Sequence, residues 1–319
     1  MSDLERIPVE EEIREELKTS KTEFTQETLE KLAALLKLLD EKCLPRPHLR
    51  LKPVRAQSTS VFDSKLGGTP YLPKDMEYPK VLEGRLEGKP LKLLAQLNFE
   101  KLPQLEGFPK KGILQFFAGC DDDDVYGIDF DDGFDQNGFR VIYHENITED
   151  ITKLMSEEDM PEFDSEENYY PFTGEFLLKA GKCHLSPITV SDYRFDKAVV
   201  ESYNALFDGD VVGMWADRDG KKGICQADKP LYDAIYEVRA KSGSGLGGYP
   251  FFTQYDPRPN NEDYADCDIL LFQLDSENGG DGWEDEIMWG DCGVGNFFIS
   301  AENLAKCDFS KVLYTWDCG

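Results

Sequence analysis

The sequence predicts an α+β protein that is internally duplicated, with mainly antiparallel β-sheets and a few packed helices. The first reason is a turn that occurs twice, "LGGTPY" at 66–71 and "LGGYPF" at 246–251. The second is the series of short β-type segments that follows each turn in the same order. The third is that the helical patterns all lie before one turn or the other. A repeated order of this kind is typical of an internal duplication.

The clearest helical pattern begins near Thr25, in "TQETLEKLAALLKLLDEK". Thr25 can cap the first turn, leucines recur at positions 29, 32, 36 and 39, and Pro45 and Pro47 end the helix. The first 24 residues are polar and rich in charge, so we expect a mobile or partly helical tail there. Two further helices are predicted at 196–207 and 229–241.

Each predicted repeat contains a Gly-Gly turn followed by three β segments. They lie at 91–99, 112–119 and 139–145 in the first repeat and at 268–276, 286–293 and 310–318 in the second. Each repeat has four landmarks: a turn Gly, a Gln, a Gln or Trp, and a Tyr. They are separated by 28, 19 and 28 positions in the first repeat and by 25, 16 and 25 positions in the second. The predicted regions are an acidic tail plus amphipathic helix at 1–45, a first repeat at 46–154, an acidic linker at 155–168 and a second repeat at 169–319.

The composition excludes some classes of partner. The chain has 63 acidic and 35 basic residues and a net charge of −28, which disfavours nucleic acid because phosphate contacts need clustered Lys and Arg. No apolar run has the length of a membrane span, and the acidic start lacks the apolar segment of a signal peptide. Eight cysteines contain no C-x-x-C pair, so we expect reduced thiols and a cytoplasmic protein. The acidity indicates solubility or, alternatively, a basic protein partner or bound cations.

The turn segments and the β segments together carry a family resemblance. In the second repeat "GLGGYPFFTQYDPR", "ILLFQLDS", "IMWGDCGVGNFFI" and "DFSKVLYTWDC" resemble the YwqG-like family, a bacterial group whose domain has no known function. In the first repeat "SKLGGTPYLP", "LAQLNF" and "ILQFF" resemble the amino-terminal half of that family. The resemblance covers about residues 46–319. It implies a cytosolic, mainly bacterial α+β protein with internal duplication, and it implies no reaction and no catalytic residues.

Polar side chains on apolar strands predict a candidate ligand-binding cleft. Gln273 and Asp275 share one face of a predicted strand, and Gln96 occupies the matching place in the first repeat. A further strand, "IMWGD", would end at Asp291 with Trp289 on the same face. The alternative is that the glutamines hydrogen-bond turns from the facing repeat, since buried polar groups usually satisfy one another. The candidate set is Gln96, Gln273, Asp275, Trp289, Asp291, Gly247 and Gly248.

The two turn glycines, Gly247 and Gly248, permit a backbone conformation that other residues rarely adopt. The proline two positions later favours an extended conformation in the residue before it. A rigid turn that leads into a strand is one interpretation. The other is a ligand-facing loop with exposed backbone amides.

An acidic segment predicts a weak metal site. "DSENGGDGWEDE" at 275–286 partly matches a calcium-binding loop, with Asp275 first, Glu277 third and Glu286 twelfth. Its fifth position is a glycine without a ligand oxygen, and its flanks are predicted strands rather than helices. The alternative is an acidic hairpin tip. The Asp-rich stretch at 120–138 has the same two interpretations, a solvated charge run or a cation site.

These features leave two hypotheses about function. The first is a non-enzymatic protein-binding module, for which immunity-like neutralisation of a toxin is one concrete form. The second is a metal-dependent or hydrolytic enzyme that uses Gln273, Asp275 and Asp291. The sequence contains no convincing catalytic triad, and its many carboxylates give no diagnostic pair.

Overall fold

The computed structural model describes residues 4–121, 125–163, 169–278 and 285–319. The chain forms two compact units. The helical unit comprises the residues up to His48, His184–Ser242 and Gly248–Asn260. The sheet unit comprises Leu49–Cys183, Gly243–Gly247 and Asn261–Gly319. The sheet unit contains residues of both predicted repeats, and the repeat boundaries stay a prediction.

The described residues form helices in both units and strands mainly in the sheet unit. The helices are α1 (Val9–Glu16), α2 (Gln26–Lys42), α3 (Phe195–Phe207), α4 (Ile224–Ala227), α5 (Lys229–Arg239) and α6 (Ala301–Ala305). The strands are β1 (Arg46–Ala56), β2 (Lys65–Leu66), β3 (Lys92–Asn98), β4 (Ile113–Ala118), β5 (Phe139–His144), β6 (Glu175–Ser186), β7 (Gly245–Gly247), β8 (Ile269–Asp275), β9 (Glu277–Asn278), β10 (Asp285–Ile287), β11 (Val294–Ile299) and β12 (Leu313–Asp317). None of the described helices has the length and apolar character needed to span a bilayer.

In the helical unit, α2 begins where the sequence predicts. The Thr25 hydroxyl accepts a hydrogen bond from the Thr28 N–H at 3.2 Å, which caps the first turn. The start of the chain is partly helical, as expected, and α1 buries Val9 and Ile13 in the same apolar cluster as the leucines of α2. The predicted helices at 196–207 and 229–241 are confirmed as α3 and α5.

The sheet unit contains one large curled antiparallel sheet, and with the helices it makes the fold α+β. Among the described residues ten strands join in the order β12-β11-β8-β7-β1-β6-β2-β3-β4-β5. Strands β9 and β10 form a separate antiparallel pair. The two end strands of this sheet, β12 and β5, approach each other. The ring centres of Phe139 in β5 and Tyr314 in β12 are 5.1 Å apart.

Part of the Asp-rich stretch lies between these two edge strands. The Gly133 carbonyl accepts a hydrogen bond from the Tyr314 N–H at 2.9 Å. The Gln136 amide donates to the Phe309 carbonyl at 2.9 Å, and its oxygen accepts the Val141 N–H of β5 at 2.9 Å. The segment thus satisfies backbone groups that an open sheet edge would leave unpaired. Residues 122–124 of the stretch lie outside the described residues.

The central strands are buried on both faces. Every residue of β4 and β11 is buried, and β3 and β8 are buried after their first residue. Because both faces are covered, the polar residues of these strands have no access to bulk water. They therefore need partners inside the protein.

The predicted strands at 91–99, 112–119, 139–145, 268–276 and 310–318 are confirmed with shifted ends. The strand predicted at 286–293 is wrong. The chain leaves β10 at Ile287, and β11 begins only at Val294. Gly290 and Cys292 have φ angles of +53° and +54°, and this left-handed conformation cannot continue a strand.

Candidate functional site

Gln96 of β3 hydrogen-bonds a loop and fastens it to the sheet. Its side chain is fully buried, and its amide donates to the carbonyls of Val61 and Asp63 at 2.9 and 2.8 Å. Its oxygen accepts the Tyr71 N–H at 2.8 Å. The bonds go to the segment 61–71, not to a turn of the other predicted repeat. Gln96 therefore has a structural use for each of its polar atoms.

A second glutamine and a histidine extend this network. Gln115 of β4 donates to the Gln96 oxygen and to the Tyr71 carbonyl, both at 2.8 Å. The His144 Nε2 lies 3.0 Å from the Gln115 oxygen. Burial lowers the pKa of His144 to about 4, so its imidazole is neutral at pH 7. Gln96 and Gln115 pair in register across β3 and β4, which places the two side chains next to each other.

Gln273 and Asp275 lie on β8, as predicted, and both are buried. The Gln273 amide donates to the Gly243 carbonyl at 2.6 Å. The Asp275 N–H donates to the Ser244 hydroxyl at 3.1 Å. Gln273 pairs in register with Gly245 of β7. These contacts connect the strand to the segment just before the second Gly-Gly turn.

Trp289 and Asp291 do not share a strand face, because neither residue belongs to a strand. Trp289 is fully buried, and a Cβ on Gly295 would lie 2.5 Å from its ring, so only glycine fits beneath it. Its indole N–H has no hydrogen-bond partner among the described residues. Asp291 is exposed, and its carbonyl accepts the Gly319 N–H at 2.9 Å. The structure thus buries Asp275 and exposes Asp291.

Gly247 and Gly248 form a tight turn with φ angles of +67° and +71°. The Gly248 N–H donates to the Pro47 carbonyl at 2.8 Å. A Cβ on Gly248 would lie 2.9 Å from the His48 Nδ1. These contacts explain the two glycines by backbone conformation and close approach.

The predicted metal ligands are only partly described. Residues 279–284 and the side chain of Glu286 lie outside the described residues. Burial raises the pKa of Glu277, and the charges of Arg50 and Lys52 partly offset this effect. Across the ranges that the structure covers, no group of three or more His, Cys, Asp or Glu side chains has the arrangement of a metal site.

Two aspartates of the Asp-rich stretch act as turn formers. The Asp129 carboxylate accepts the N–H groups of Asp131 and Asp132 at 2.7 and 3.0 Å. The Asp132 carboxylate accepts the Phe134 N–H at 2.9 Å. Aspartate commonly bonds to the backbone two residues ahead in such turns.

Sequence reasoning missed a groove in the helical unit. It lies between α1 and α2 and encloses about 1000 Å³. Its apolar lining consists of Ile13, Leu17, Leu29, Ala33 and Ala34. Leu17, Leu29 and Ala33 are only half-buried, so apolar surface remains open to solvent. The spacing of Val9, Ile13 and Leu17 by four residues is the signal that could have predicted it.

The rim of the groove carries both acidic and basic side chains. Glu10 forms an ion pair with Lys37 across the two helices, and the Lys18 Nζ lies 3.7 Å from the Glu15 Oε2. Glu30 accepts a hydrogen bond from the neutral Gln26 amide at 3.0 Å. The remaining polar residue of the lining is Arg14. An apolar floor with a charged rim is the arrangement that binds an amphipathic helix.

One family comparison bears on the identity of the chain. A family model described as a domain of unknown function, DUF1963, matches residues 64–318. The chain belongs to the DUF1963 family. The matched segment contains both Gly-Gly turns, whereas α1 and α2 precede it. The comparison with curated proteins gives no match. The DUF1963 description names no activity.

Proposed function

We propose that this DUF1963 protein is a non-enzymatic binding protein, which holds a basic amphipathic helix of a partner protein in the α1–α2 groove. The observation that carries the proposal is the half-buried apolar lining formed by Leu17, Leu29 and Ala33. Apolar surface that is contiguous and rimmed by polar residues marks interaction sites on soluble proteins. A groove between two helices admits the apolar face of a third helix.

The charge of the protein supports a basic partner. The exposed acids of α1 are Glu10, Glu11, Glu15 and Glu16, against one exposed base, Arg14. The whole chain carries a net charge of −28. A field of this sign raises the association rate of a cationic partner and repels an anionic one. Immunity-like binding of a basic toxin is one form that such a function can take.

The test uses two synthetic helical peptides with the same apolar face. One carries Lys and the other Glu on its polar face, and binding is measured by fluorescence anisotropy at about 50 and about 300 mM NaCl, a range over which screening changes strongly. We expect the Lys peptide to bind at least about tenfold more tightly, with weaker binding at high salt because ions screen the attraction. Equal affinities for both peptides, or binding of neither, would contradict the proposal.

The variant Leu29→Glu places a charge on the groove lining without disturbing a buried residue. We expect it to weaken binding of the Lys peptide by about tenfold or more, because a charge replaces an apolar contact. The matched control is Leu206→Glu, since Leu206 is 40% exposed on α3 and does not line the groove. A Leu29→Glu protein that folds and still binds the peptide normally would exclude this groove.

The alternative enzyme hypothesis stays a prediction. It needs Gln273, Asp275 and Asp291 to converge on one substrate. Gln273 donates to a backbone carbonyl, and Asp291 lies on the surface while Asp275 is buried. No described contact joins the two aspartates, so no specific observation favours this function over the binding proposal.

We also propose that the two halves of the DUF1963 segment arose by duplication. Matching bonds support this: Ser64 and Ser244 each accept an N–H through the side chain, from Asn98 at 2.9 Å and Asp275 at 3.1 Å. The residues after these serines pair in register with Gln96 and Gln273. The finer assignment to YwqG-like bacterial proteins rests on the segments quoted above. A cytoplasmic location is supported by eight cysteines that are all free thiols.

A further inference from the structure

A second cavity lies in the sheet unit, beside the edge strand β5. It encloses about 600 Å³, a volume typical of small-molecule sites. The polar lining comes from Asp135, Gln136, Asn137, Arg140, Tyr143, Cys307, Asp308 and Ser310. The apolar lining comes from Leu82, Val141, Ile142 and Phe309. None of these residues belongs to the α1–α2 groove, so this cavity is independent of the proposed binding function.

Arg140 supplies a positive charge that no described carboxylate neutralises by an ion pair. Its Nε and Nη2 atoms donate to the Gln136 carbonyl at 3.1 and 2.9 Å, and Nη2 also reaches the Lys80 carbonyl at 3.5 Å. These acceptors are neutral. Among the described residues no carboxylate lies within ion-pair distance of the guanidinium, and Nη1 donates to none of them. In a chain with 63 acidic residues, an unpaired half-buried arginine is unexpected.

The two acids of the cavity lining accept hydrogen bonds within their own turns. The Asp308 carboxylate accepts the Ser310 N–H and hydroxyl at 3.0 and 2.6 Å. The Asp135 carboxylate accepts the Asn137 N–H at 3.0 Å. Burial lowers the pKa of Arg140, and the charge of Asp135 only partly offsets this. The guanidinium stays charged at pH 7, and an anion that reached it would form a charge-assisted pair.

We propose that this cavity binds a small monocarboxylic acid, whose carboxylate pairs with Arg140 and whose apolar body packs against Leu82 and Phe309. A bidentate pair with guanidinium is the geometry that a carboxylate prefers. Among anions, one that carries a single charge meets the least repulsion, because the lining has one cation and two acids and the chain is strongly negative. The pair with Arg140 and the apolar contacts have to outweigh that repulsion. Leu82 is 57% exposed and Phe309 is 5% exposed, so the ligand would enter past Leu82.

The first test compares phenylacetate with its neutral analogue phenylacetamide by ligand-detected NMR titration. The two probes have the same shape and differ in charge. We expect phenylacetate to bind at least about tenfold more tightly, because only the acid can form the charged pair. Equal binding of the acid and the amide would overturn the proposal, as would the absence of saturable binding of either.

The variant Leu82→Asp places a negative charge at the mouth of the cavity. Because Leu82 is largely exposed, this change leaves the core intact. We expect the affinity for phenylacetate to fall by about fivefold or more through like-charge repulsion, while Leu206→Asp leaves it unchanged.

The variant Arg140→Met should abolish the preference for the acid over the amide. The matched control Arg218→Met, at an exposed site in the helical unit, should keep this preference. A preference for the acid that survives in Arg140→Met, or an unchanged affinity for phenylacetate in Leu82→Asp, would contradict the assignment.

Cysteine labelling gives an independent location for the ligand. Cys307 lines the cavity, whereas Cys292 is exposed and lies outside it. Iodoacetamide labelling is followed site by site with peptide mass spectrometry. Saturating phenylacetate should slow labelling of Cys307 by about threefold or more, because it reduces access to the thiol, and leave Cys292 unchanged. Protection of neither cysteine, or of both equally, would place the ligand elsewhere and overturn the proposal.

Discussion

The two Gly-Gly turns share a bonding pattern and differ in what they enclose. In the first, the Ser64 carbonyl accepts the Leu178 N–H at 2.9 Å, and in the second, the Ser244 carbonyl accepts the Leu51 N–H at 2.9 Å. The residue after each serine differs. Lys65 lies opposite Gln96, whereas Gly245 lies opposite Gln273. The first turn therefore encloses a buried cation that the second lacks.

Lys65 is fully buried, and its ammonium donates to the Thr69 carbonyl at 2.5 Å. No ion pair joins it to a described carboxylate, although the charges of Glu175 and Asp63 act on it from farther away. Burial lowers the pKa of Lys65 to about 8. The comparison shows that the repeated turn preserves backbone bonds, while the side chain beneath it can change. These backbone bonds give a structural reason for the recurrence of the motif.

Alanine substitutions at the turn glycines should give the largest effect. In Gly67→Ala, the new Cβ would lie 2.6 Å from the Gly174 carbonyl oxygen, a backbone atom that cannot rotate away. In Gly248→Ala the nearest atom belongs to the movable His48 side chain. We expect losses in the free energy of unfolding of about 3 kcal/mol for Gly67→Ala and about 2 kcal/mol for Gly248→Ala, measured by urea titration. The control is Gly84→Ala, which has open space around it and should lose about 1 kcal/mol. Equal losses at Gly67 and Gly84 would refute the steric explanation.

Removal of the Gln96 side chain should have the next largest effect. Gln96→Ala leaves the Tyr71 N–H and the carbonyls of Val61 and Asp63 without this partner in a buried site. We expect a loss of about 2–3 kcal/mol in the free energy of unfolding. The control Gln57→Ala, at an exposed position, should change it by less than about 0.5 kcal/mol. A stable Gln96→Ala protein would instead favour a functional use of this residue.

Lys65 gives the first turn a pH dependence. Its pKa is about 8 in the folded protein and 10.5 in the reference state. Between these values the unfolded chain binds more protons than the folded protein, so stability should rise with pH from about 8 to about 10. Lys65→Met should remove this rise and increase the free energy of unfolding at pH 7 by about 1–2 kcal/mol, because a buried charge is lost. The exposed Lys110→Met is the control, and an unchanged pH profile in Lys65→Met would contradict the assignment.

His144 should produce the smallest effect, at acid pH. Its pKa is about 4 in the folded protein, below the reference value of 6.5. The unfolded chain binds more protons between these values, so stability should fall as the pH drops from about 6.5 to about 4. We expect His144→Gln to reduce this fall by about 1 kcal/mol, measured from urea midpoints at the two ends of this pH range. If both proteins lose stability in parallel, His144 is not the titrating group.

Local patterns predicted much of the fold and little of its sites. The leucine spacing and the Thr25 cap indicated α2, and short apolar runs indicated β3, β4, β5, β8 and β12. The sequence predicts a strand at 286–293 instead of β11, because "IMWGD" starts with three apolar residues whereas β11 starts with "VGN". The left-handed conformation of Gly290 cannot be predicted from a sequence pattern. The roles of Gln96 and Gln273 depend on partners 25 to 35 positions away, which spacing alone does not define.

The α1–α2 groove is difficult to predict because of the residues that surround its apolar positions. Charged residues outnumber apolar ones in α1, so the segment resembles a tail although Val9 and Ile13 are buried. The cavity beside Arg140 depends on segments that are distant in the sequence and on an ion pair that does not form among the described residues. For this cavity, neither the approach of distant segments nor the ion pair missing from the described part of the chain can be derived from composition or periodicity.

The most direct measurement is one anisotropy titration of the Lys-faced peptide with three proteins: the unmodified chain, Leu29→Glu and Asp291→Asn. The first variant changes the α1–α2 groove, and the second changes the exposed residue of the site predicted on the strands. We expect Leu29→Glu to weaken binding by about tenfold or more and Asp291→Asn to leave it unchanged. Normal binding by Leu29→Glu together with a loss in Asp291→Asn would contradict the proposal and return the function to the strand site.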